Sequence, residues 1–242
     1  MTDPREMIDK SAMTSMQFLI VGITVLLNAM DGIDVLTISI AAPGILAEWG
    51  IDRTQLGIIL SMEMVGMAFG SILLGGVADR YGRRNMMLGS LMVMSSGMFL
   101  ATTATSPATL SIWRIYTGLG IGGMLSTTLA VVAEFSNNKN RALCVAMMTI
   151  GYPIGGIFCG EIGKALLVAD GSNWRSLFYI GMALSASLIP VVYFLVPESV
   201  HWLTRKQPVN SLERVNSALR KLGKTVVNVL PEINAETRKK SV

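Results

Sequence analysis

Two aspartates, Asp31 and Asp34, lie three residues apart inside the apolar stretch 17–41. A carboxylate at the centre of a bilayer costs about 2.5–3.5 kcal/mol, so a span that keeps two of them indicates a functional requirement. The i, i+3 spacing places both side chains on one face of a helix, where they can share a polar path through the apolar span. Binding and transfer of protons is the first chemistry that this pair suggests.

The elements that must position these carboxylates are six apolar segments. The chain has 242 residues, of which 51% are hydrophobic and only 15% are charged. About 20 apolar residues in a helix cross the hydrocarbon of a bilayer, so we predict an all-α membrane protein. The predicted spans are 17–41, 54–76, 86–104, 109–133, 142–168 and 176–196.

The distribution of Lys and Arg predicts how this bundle is oriented. Of the 20 such residues, 16 fall on the side of the N-terminus: 2 in 1–16, 3 in 77–85, 2 in 134–141 and 9 in 197–242. Cytoplasmic loops carry an excess of positive residues, so we expect both termini in the cytoplasm and a multi-pass protein of the cell (inner) membrane. The net charge of +4 then reflects topology and contact with anionic lipid, and we expect no nucleic-acid partner.

The chain is predicted to have three parts: a cytoplasmic N-terminus (1–16), the bundle (17–196) and a cytoplasmic segment (197–242). In the last part, 211–224 has an apolar and a basic helical face, which predicts an amphipathic helix along the inner membrane surface. Asn210 and Glu213 resemble a capping pair for this helix. Gly223 is a suitable residue to end it.

Glycines recur four residues apart in several spans, where they would let helices pack closely. No metal cluster, phosphate-binding loop or nucleophile with an adjacent base is found in the sequence. We therefore expect neither an enzyme nor a bound cofactor, with the proton as the coupling ion. The glycine pairs are Gly66 and Gly70, Gly118 and Gly122, Gly151 and Gly155, and Gly156 and Gly160.

The loop between the second and third spans reads Gly-Gly-Val-Ala-Asp-Arg-Tyr-Gly-Arg-Arg at 75–84. This string resembles the Gly-x-x-x-Asp-Arg-x-Gly-Arg-Arg signature of the major facilitator superfamily. A positive anchor at the inner membrane surface is the alternative, but it would explain the arginines alone. The resemblance implies a loop that gates the inner face of a transporter. The implied gating residues are Gly75, Asp79, Arg80, Gly82, Arg83, Arg84, Glu134, Arg141 and Glu198.

The Asp31-Gly-Ile-Asp34 sequence of the first span looks like the Asp-Gly-x-Asp motif of the aromatic acid:proton symporter family within that superfamily. The segment after Trp202 is similar to the central loop of that family, so the resemblance covers essentially the whole chain. It implies two inverted three-helix repeats, which form the N-terminal half of a twelve-helix transporter. A C-terminal six-helix half, absent from this chain, is the implied partner. The implied function is proton-coupled import of aromatic carboxylic acids by alternating access.

Arg114 in the fourth span is the implied binding group for the substrate carboxylate. Counted from the helix midpoints at about 1.5 Å per residue, Asp34 and Arg114 lie at similar depths, ~8 Å and ~10 Å outward of the bilayer centre. If the two spans face each other, the Asp34 carboxylate can form an ion pair with Arg114. A substrate carboxylate would then replace Asp34 on the arginine, and Asp34 would bind a proton. A static pair that only holds the helices together is the alternative.

Three further side chains complete the predicted site. Glu63, near the middle of the second span, is a second candidate for proton binding. Tyr116 and Tyr152 could stack on an aromatic substrate, although aromatic residues also collect at membrane interfaces. Two other functions stay open: a half-bundle that serves as a sensor or binding partner without transport, and a superfamily transporter for another organic acid or a sugar.

Overall fold

The computed structural model describes residues 3–169 and 173–231. Every regular element within these residues is a helix, which confirms the predicted all-α class. Six of the helices, α2 to α7, are long and apolar enough to span a membrane. The helices are α1 (Pro4–Lys10), α2 (Ser15–Trp49), α3 (Arg53–Tyr81), α4 (Arg83–Thr102), α5 (Pro107–Phe135), α6 (Arg141–Ala169), α7 (Arg175–Leu195), α8 (Val200–Lys206) and α9 (Ser211–Lys221).

Helix α2 is longer than the predicted first span. It begins at a capping box formed by Thr14 and Gln17, and it continues through Pro43 to Trp49. The prediction that the helix ends at residue 41 was therefore wrong. A proline removes only one backbone hydrogen bond, which membrane helices tolerate. The effective stop is Gly50, whose left-handed backbone (φ 60°) caps the helix.

The helices of the two three-helix repeats, α2–α4 and α5–α7, pack mainly on helices of the other repeat. Helix α2 packs along α6, and α3 packs along α5. Glycines allow this approach: a Cβ atom at Gly66 would collide with the carbonyl of Ile115, and one at Gly155 would collide with that of Ala29. Three of the four predicted glycine pairs are confirmed as close contacts between helices. In the fourth pair, no described atom of another helix lies within 4 Å of a Cβ atom placed at Gly160, so of these two glycines only Gly156 packs closely.

A bidentate ion pair joins α2 to α7 at the end of the bundle opposite the chain termini. Arg175 donates from Nη1 and Nη2 to the two carboxylate oxygens of Glu48, at 2.6 and 2.8 Å. The same guanidinium donates to the carbonyls of Thr102 and Ala104, each at 3.1 Å. Arg175 therefore ties the ends of α2 and α4 to the start of α7.

The short helices α1, α8 and α9 form a cap over the other end, which we call the terminal end. Val215 and Leu219 of α9 are fully buried and share one core with Ile8 of α1 and Trp202 of α8. The predicted helix at 211–224 is present over Ser211–Lys221, and its apolar face packs on the protein itself, whereas contact with lipid was expected for a helix along the membrane surface.

The predicted capping pair of α9 was also wrong. Asn210 adopts a left-handed backbone (φ 59°), and its side chain makes no capping hydrogen bond. A short polar residue tolerates this conformation, so Asn210 serves the turn between α8 and α9 instead. The expected end of the helix is confirmed, since Gly223 has φ 68° directly after the C-cap residue Leu222.

Candidate functional site

Four charged side chains from three different spans meet inside the bundle. Asp31 and Asp34 come from α2, Glu63 from α3 and Arg114 from α5, and each residue is at most 1% exposed. Charged groups in the hydrocarbon region of a membrane protein lie in the bundle interior and mark functional sites. The six helices alone enclose this cluster, so its burial needs no further chain.

The guanidinium of Arg114 is the centre of the cluster. It forms an ion pair with Glu63 and donates from Nη2 to the backbone carbonyl of Asp34 at 3.1 Å. Its Nη1 lies 3.8 Å from the thioether sulfur of Met98, and the Phe178 ring centroid is 5.7 Å from Cζ. The guanidinium cation is therefore held by an ion pair, a backbone carbonyl, a thioether sulfur and an aromatic ring.

The expected ion pair between the Asp34 carboxylate and Arg114 was wrong. Residue counting correctly placed the two residues at one depth, but the arginine reaches the main chain of α2 and not the carboxylate. The carboxylate partner is Glu63, because the glycine contacts between α3 and α5 bring its backbone against Gly118. Counting along helices gives depth but not the lateral packing that selects the partner.

The carboxylates of Asp31 and Asp34 make no hydrogen bond within the described part of the chain. One oxygen of Asp34 faces α7, where it would lie 3.5 Å from a Cβ atom at Gly181. An isolated buried charge is very costly, and a carboxyl group avoids that cost by binding a proton or a cation. Both groups are therefore candidates for proton binding, and that role stays a prediction.

A cavity of about 710 Å³, which is open to the surface of the bundle, adjoins the cluster on the side of the terminal end. This volume is within the range of small-molecule sites, and the lining is mostly apolar. Asn28 supplies a polar group: its Nδ2 donates to the carbonyl of Met148 at 2.8 Å, and its Oδ1 has no partner among the described residues. Other lining residues are Met67, Leu125, Thr149, Tyr152 and Pro153.

The structure separates the two tyrosines of the predicted site. Tyr152 lines the cavity, and its backbone lies against Gly32, between the two aspartates. Tyr116 instead points toward α4, with its hydroxyl 3.3 Å from the Ser96 hydroxyl, so it does not join Arg114. The sequence prediction missed Asn28, although its position three residues before Asp31 places it on the same helix face.

A second group of charges lies at the terminal end, in the predicted gating loop. Arg83 bridges Asp79 at 2.7 Å and Glu134 of α5 at 3.3 Å. Asp79 also accepts from Arg205 at 3.0 Å, and its carbonyl accepts from the indole of Trp202 at 2.9 Å. These bonds link the turn between α3 and α4 to α5 and to the cap.

Glu198 holds the start of α4. Its carboxylate accepts the backbone N–H groups of Arg83 at 2.8 Å and Arg84 at 3.2 Å. Gly82, between the two helices, has φ 102°, and a Cβ atom there would collide with the Glu198 carboxylate. Burial raises the pKa of Glu198 above its ordinary value, although its backbone hydrogen bonds favour the charged form.

The other predicted gating residues lie around this network without all joining it. Arg84 stacks on the Tyr193 ring, 4.8 Å from its centroid, and Arg80 is exposed. Gly75 faces α5 without a close contact. Arg141 pairs with Asp9 of α1 at 2.6 Å, so it ties α6 to the cap.

Comparisons with known proteins agree with this arrangement. A family model described as Major Facilitator Superfamily matches residues 24–231. The "Gallate transporter" of Pseudomonas putida is 30% identical over 221 residues, which are 91% of this chain and 48% of that protein. The "4-hydroxybenzoate transporter PcaK" of the same species is 30% identical over 240 residues, 99% of this chain and 51% of that protein. The chain thus spans about half the length of the curated relatives that it matches.

Solved structures show the same fold. The proton:xylose symporter XylE bound to 6-bromo-6-deoxy-D-glucose superposes with a TM-score of 0.74 at 20% identity, covering 87% of this chain and 50% of that one. A bacterial homolog of the human lysosomal transporter Spinster, inward-facing and occupied, gives a TM-score of 0.70 at 18% identity over 78% and 46% of the two chains. The six-helix arrangement and the match over residues 24–231 show that the chain belongs to the Major Facilitator Superfamily.

Proposed function

We propose that the protein imports aromatic carboxylic acids together with protons by alternating access, and that this chain supplies the N-terminal six-helix half. The observation that carries the proposal is the enclosed Arg114, which lies near two buried aspartates whose carboxylates have no hydrogen-bond partner among the described residues. An arginine at this depth can bind an anionic substrate, and the aspartates can bind protons.

The chemistry of the site supports an aromatic acid as the substrate. Arginine binds carboxylates with two parallel hydrogen bonds, and the neighbouring cavity offers mostly apolar walls with the Tyr152 ring among them. Relatives that align with nearly the whole chain are named as transporters of gallate and 4-hydroxybenzoate. Both compounds are small aromatic carboxylates, which makes this substrate class the best match for the site.

Proton coupling would supply the driving force for import. A membrane potential contributes about 2.3 kcal/mol per net charge per 100 mV, so one proton in excess of the anion's charge drives uptake. In this proposal, Asp34 and Asp31 bind protons, the terminal end faces the cytoplasm, and the protein lies in the cell membrane. Its partners are the lipid bilayer, the aromatic acid and a C-terminal six-helix half, and it needs no cofactor.

The direct test is uptake of radiolabelled 4-hydroxybenzoate by cells that express the protein from its complete reading frame. Asp34→Asn should abolish proton-dependent uptake, because an amide cannot exchange the proton. The matched control is Glu161→Gln, which removes an exposed carboxylate of α6 paired with Lys164 and should leave uptake unchanged. Normal uptake with a normal pH dependence in Asp34→Asn would refute the coupling role, and uptake of sugars but not of aromatic acids would refute the substrate class.

A further inference from the structure

We propose that Glu63 is the internal counter-ion of Arg114, and that an anionic substrate binds this arginine only when Glu63 takes up a proton. The inference rests on the proposed function, because it concerns the same arginine and the same class of substrate. It assigns to Glu63 of α3 the proton that balances the charge of the bound anion, and leaves to the aspartates of α2 the excess proton that drives uptake.

The packing of α3 on α5 fixes Glu63 beside Arg114. Gly118 lies one turn after Arg114, and a Cβ atom there would collide with the carbonyl of Glu63. Gly66, three residues after Glu63, meets the backbone of Ile115 in the same way. The two backbones therefore touch directly beside the ion pair, so Glu63 cannot move away from the arginine unless its side chain rotates.

The ion pair leaves hydrogen-bonding capacity unused on both partners. Arg114 Nε and one oxygen of Glu63 have no hydrogen-bond partner within 3–169 and 173–231. Among the acceptors of the described chain, the Nη1 atom of Arg114 reaches only the weak acceptor Met98 Sδ, at 3.8 Å. The guanidinium thus retains donors for another carboxylate, which would meet the charge already present on Glu63.

The charges around Glu63 explain why a proton must enter with the anion. It faces Arg114 of α5 and Asp34 of α2, and the Tyr152 hydroxyl of α6 is within its electrostatic range. Arg114 is the one cation of this group. If a substrate carboxylate binds the guanidinium, an ionised Glu63 becomes a buried charge without its counter-ion. The substrate carboxylate also repels it.

Protonation of Glu63 removes this repulsion and keeps the net charge of the site constant. Before exchange, the site holds the Arg114 cation and the Glu63 carboxylate. Afterwards it holds the cation, the substrate carboxylate and a neutral Glu63 that carries one added proton on a carboxyl oxygen. The net charge of the site is unchanged, and one proton enters with each carboxylate. A neutral ligand has no charge with which to replace Glu63, so this exchange also favours acids over their amides and over sugars.

The experiment measures binding of 4-hydroxybenzoate to the purified protein, expressed from its complete reading frame, between pH 5.5 and 8.5. For the wild type, the dissociation constant should rise about tenfold per pH unit once Glu63 is ionised in the free protein, and binding should take up about one proton in weakly buffered solution. Glu63→Gln should remove both effects and bind about 10- to 100-fold more tightly at the alkaline end, because the competing charge is gone. The matched control Glu161→Gln, which breaks an exposed pair with Lys164 outside the site, should retain the pH-dependent affinity.

Each outcome separates the two proposals. A wild type that binds no aromatic carboxylate at any pH refutes the proposed function, and the competition with it. Binding whose pH dependence and proton uptake persist in Glu63→Gln refutes the role of Glu63 alone, as does a folded Glu63→Gln protein that has lost binding. If Glu63→Gln does not fold, Glu63→Asp replaces it: the shortened carboxyl should shift the pH midpoint of proton uptake, and an unchanged midpoint overturns the proposal.

Discussion

The close contact of α3 with α5 predicts a large effect from one added methyl group. In Gly122→Ala, the new Cβ atom would collide with the carbonyl oxygen of Met67 and would lie 2.7 Å from the Ser71 nitrogen, whereas ordinary contacts begin at 3.4 Å. The two helices must therefore separate by at least about 0.7 Å, the difference between these distances. Overpacking of this kind costs about 1–3 kcal/mol, although alanine by itself favours a helix over glycine by about 0.5–1 kcal/mol.

Thiol labelling during thermal unfolding measures this effect directly. Cys144 and Cys159 are free and only 2% and 3% exposed, so a thiol-reactive dye should label them only when the bundle opens. Gly122→Ala should lower the labelling midpoint. The control Gly160→Ala adds the same methyl group where no atom lies within 4 Å, and it should leave the midpoint unchanged or raise it slightly. Equal midpoints for the two variants would refute the claim that this interface depends on its glycines.

Two further predictions concern the ends of the bundle. Glu48→Gln should destabilise the protein by about 1 kcal/mol, because it removes a bidentate pair with Arg175, whereas Glu161→Gln breaks an exposed pair with Lys164 and should cost only about a few tenths of a kcal/mol in the same unfolding assay. An equal loss in both variants would contradict this reasoning. Burial raises the pKa of Glu198 above 4.5, so its proton should stabilise the fold fully below that pH, and this stabilisation should disappear as the pH rises through the raised pKa. Glu198→Gln should flatten this part of the unfolding curve against pH, and an unchanged slope would count against the assignment.

The spans and their order were predictable from the sequence, because about 20 apolar residues leave few alternatives to a membrane helix. The glycine pairs likewise indicated which helix faces approach one another. The sequence did not indicate that α2 continues past Pro43 or that the apolar face of α9 has a protein partner. Amphipathic periodicity shows that a face is buried, but the same pattern fits lipid and protein as the covering surface.

The residues of the candidate site were easier to predict from the sequence than the contacts between them. Asp31, Asp34 and Glu63 were identified as carboxylates in apolar spans and Arg114 through the family resemblance, and the structure buries all four inside the bundle. The partner of Arg114 was predicted wrongly, because depth along a helix does not determine which neighbouring helix a long side chain reaches. Tyr116 has the right type and depth, but it lies two residues after Arg114 and so on nearly the opposite helix face.

The exchange of partners between the two repeats has a consequence for biosynthesis. Helix α2 carries both aspartates, yet its long neighbour is α6, and the hydrogen bond from Asn28 to Met148 joins residues 120 positions apart. At about 5–20 residues per second, the ribosome needs roughly 6–24 s to make the intervening chain. During that interval α2 lacks its contact with α6, the helix that helps to enclose Asp31. Membrane insertion of the first span should therefore depend on the translocon, or another protein at the ribosome exit, to shelter its carboxylates until the fifth span arrives.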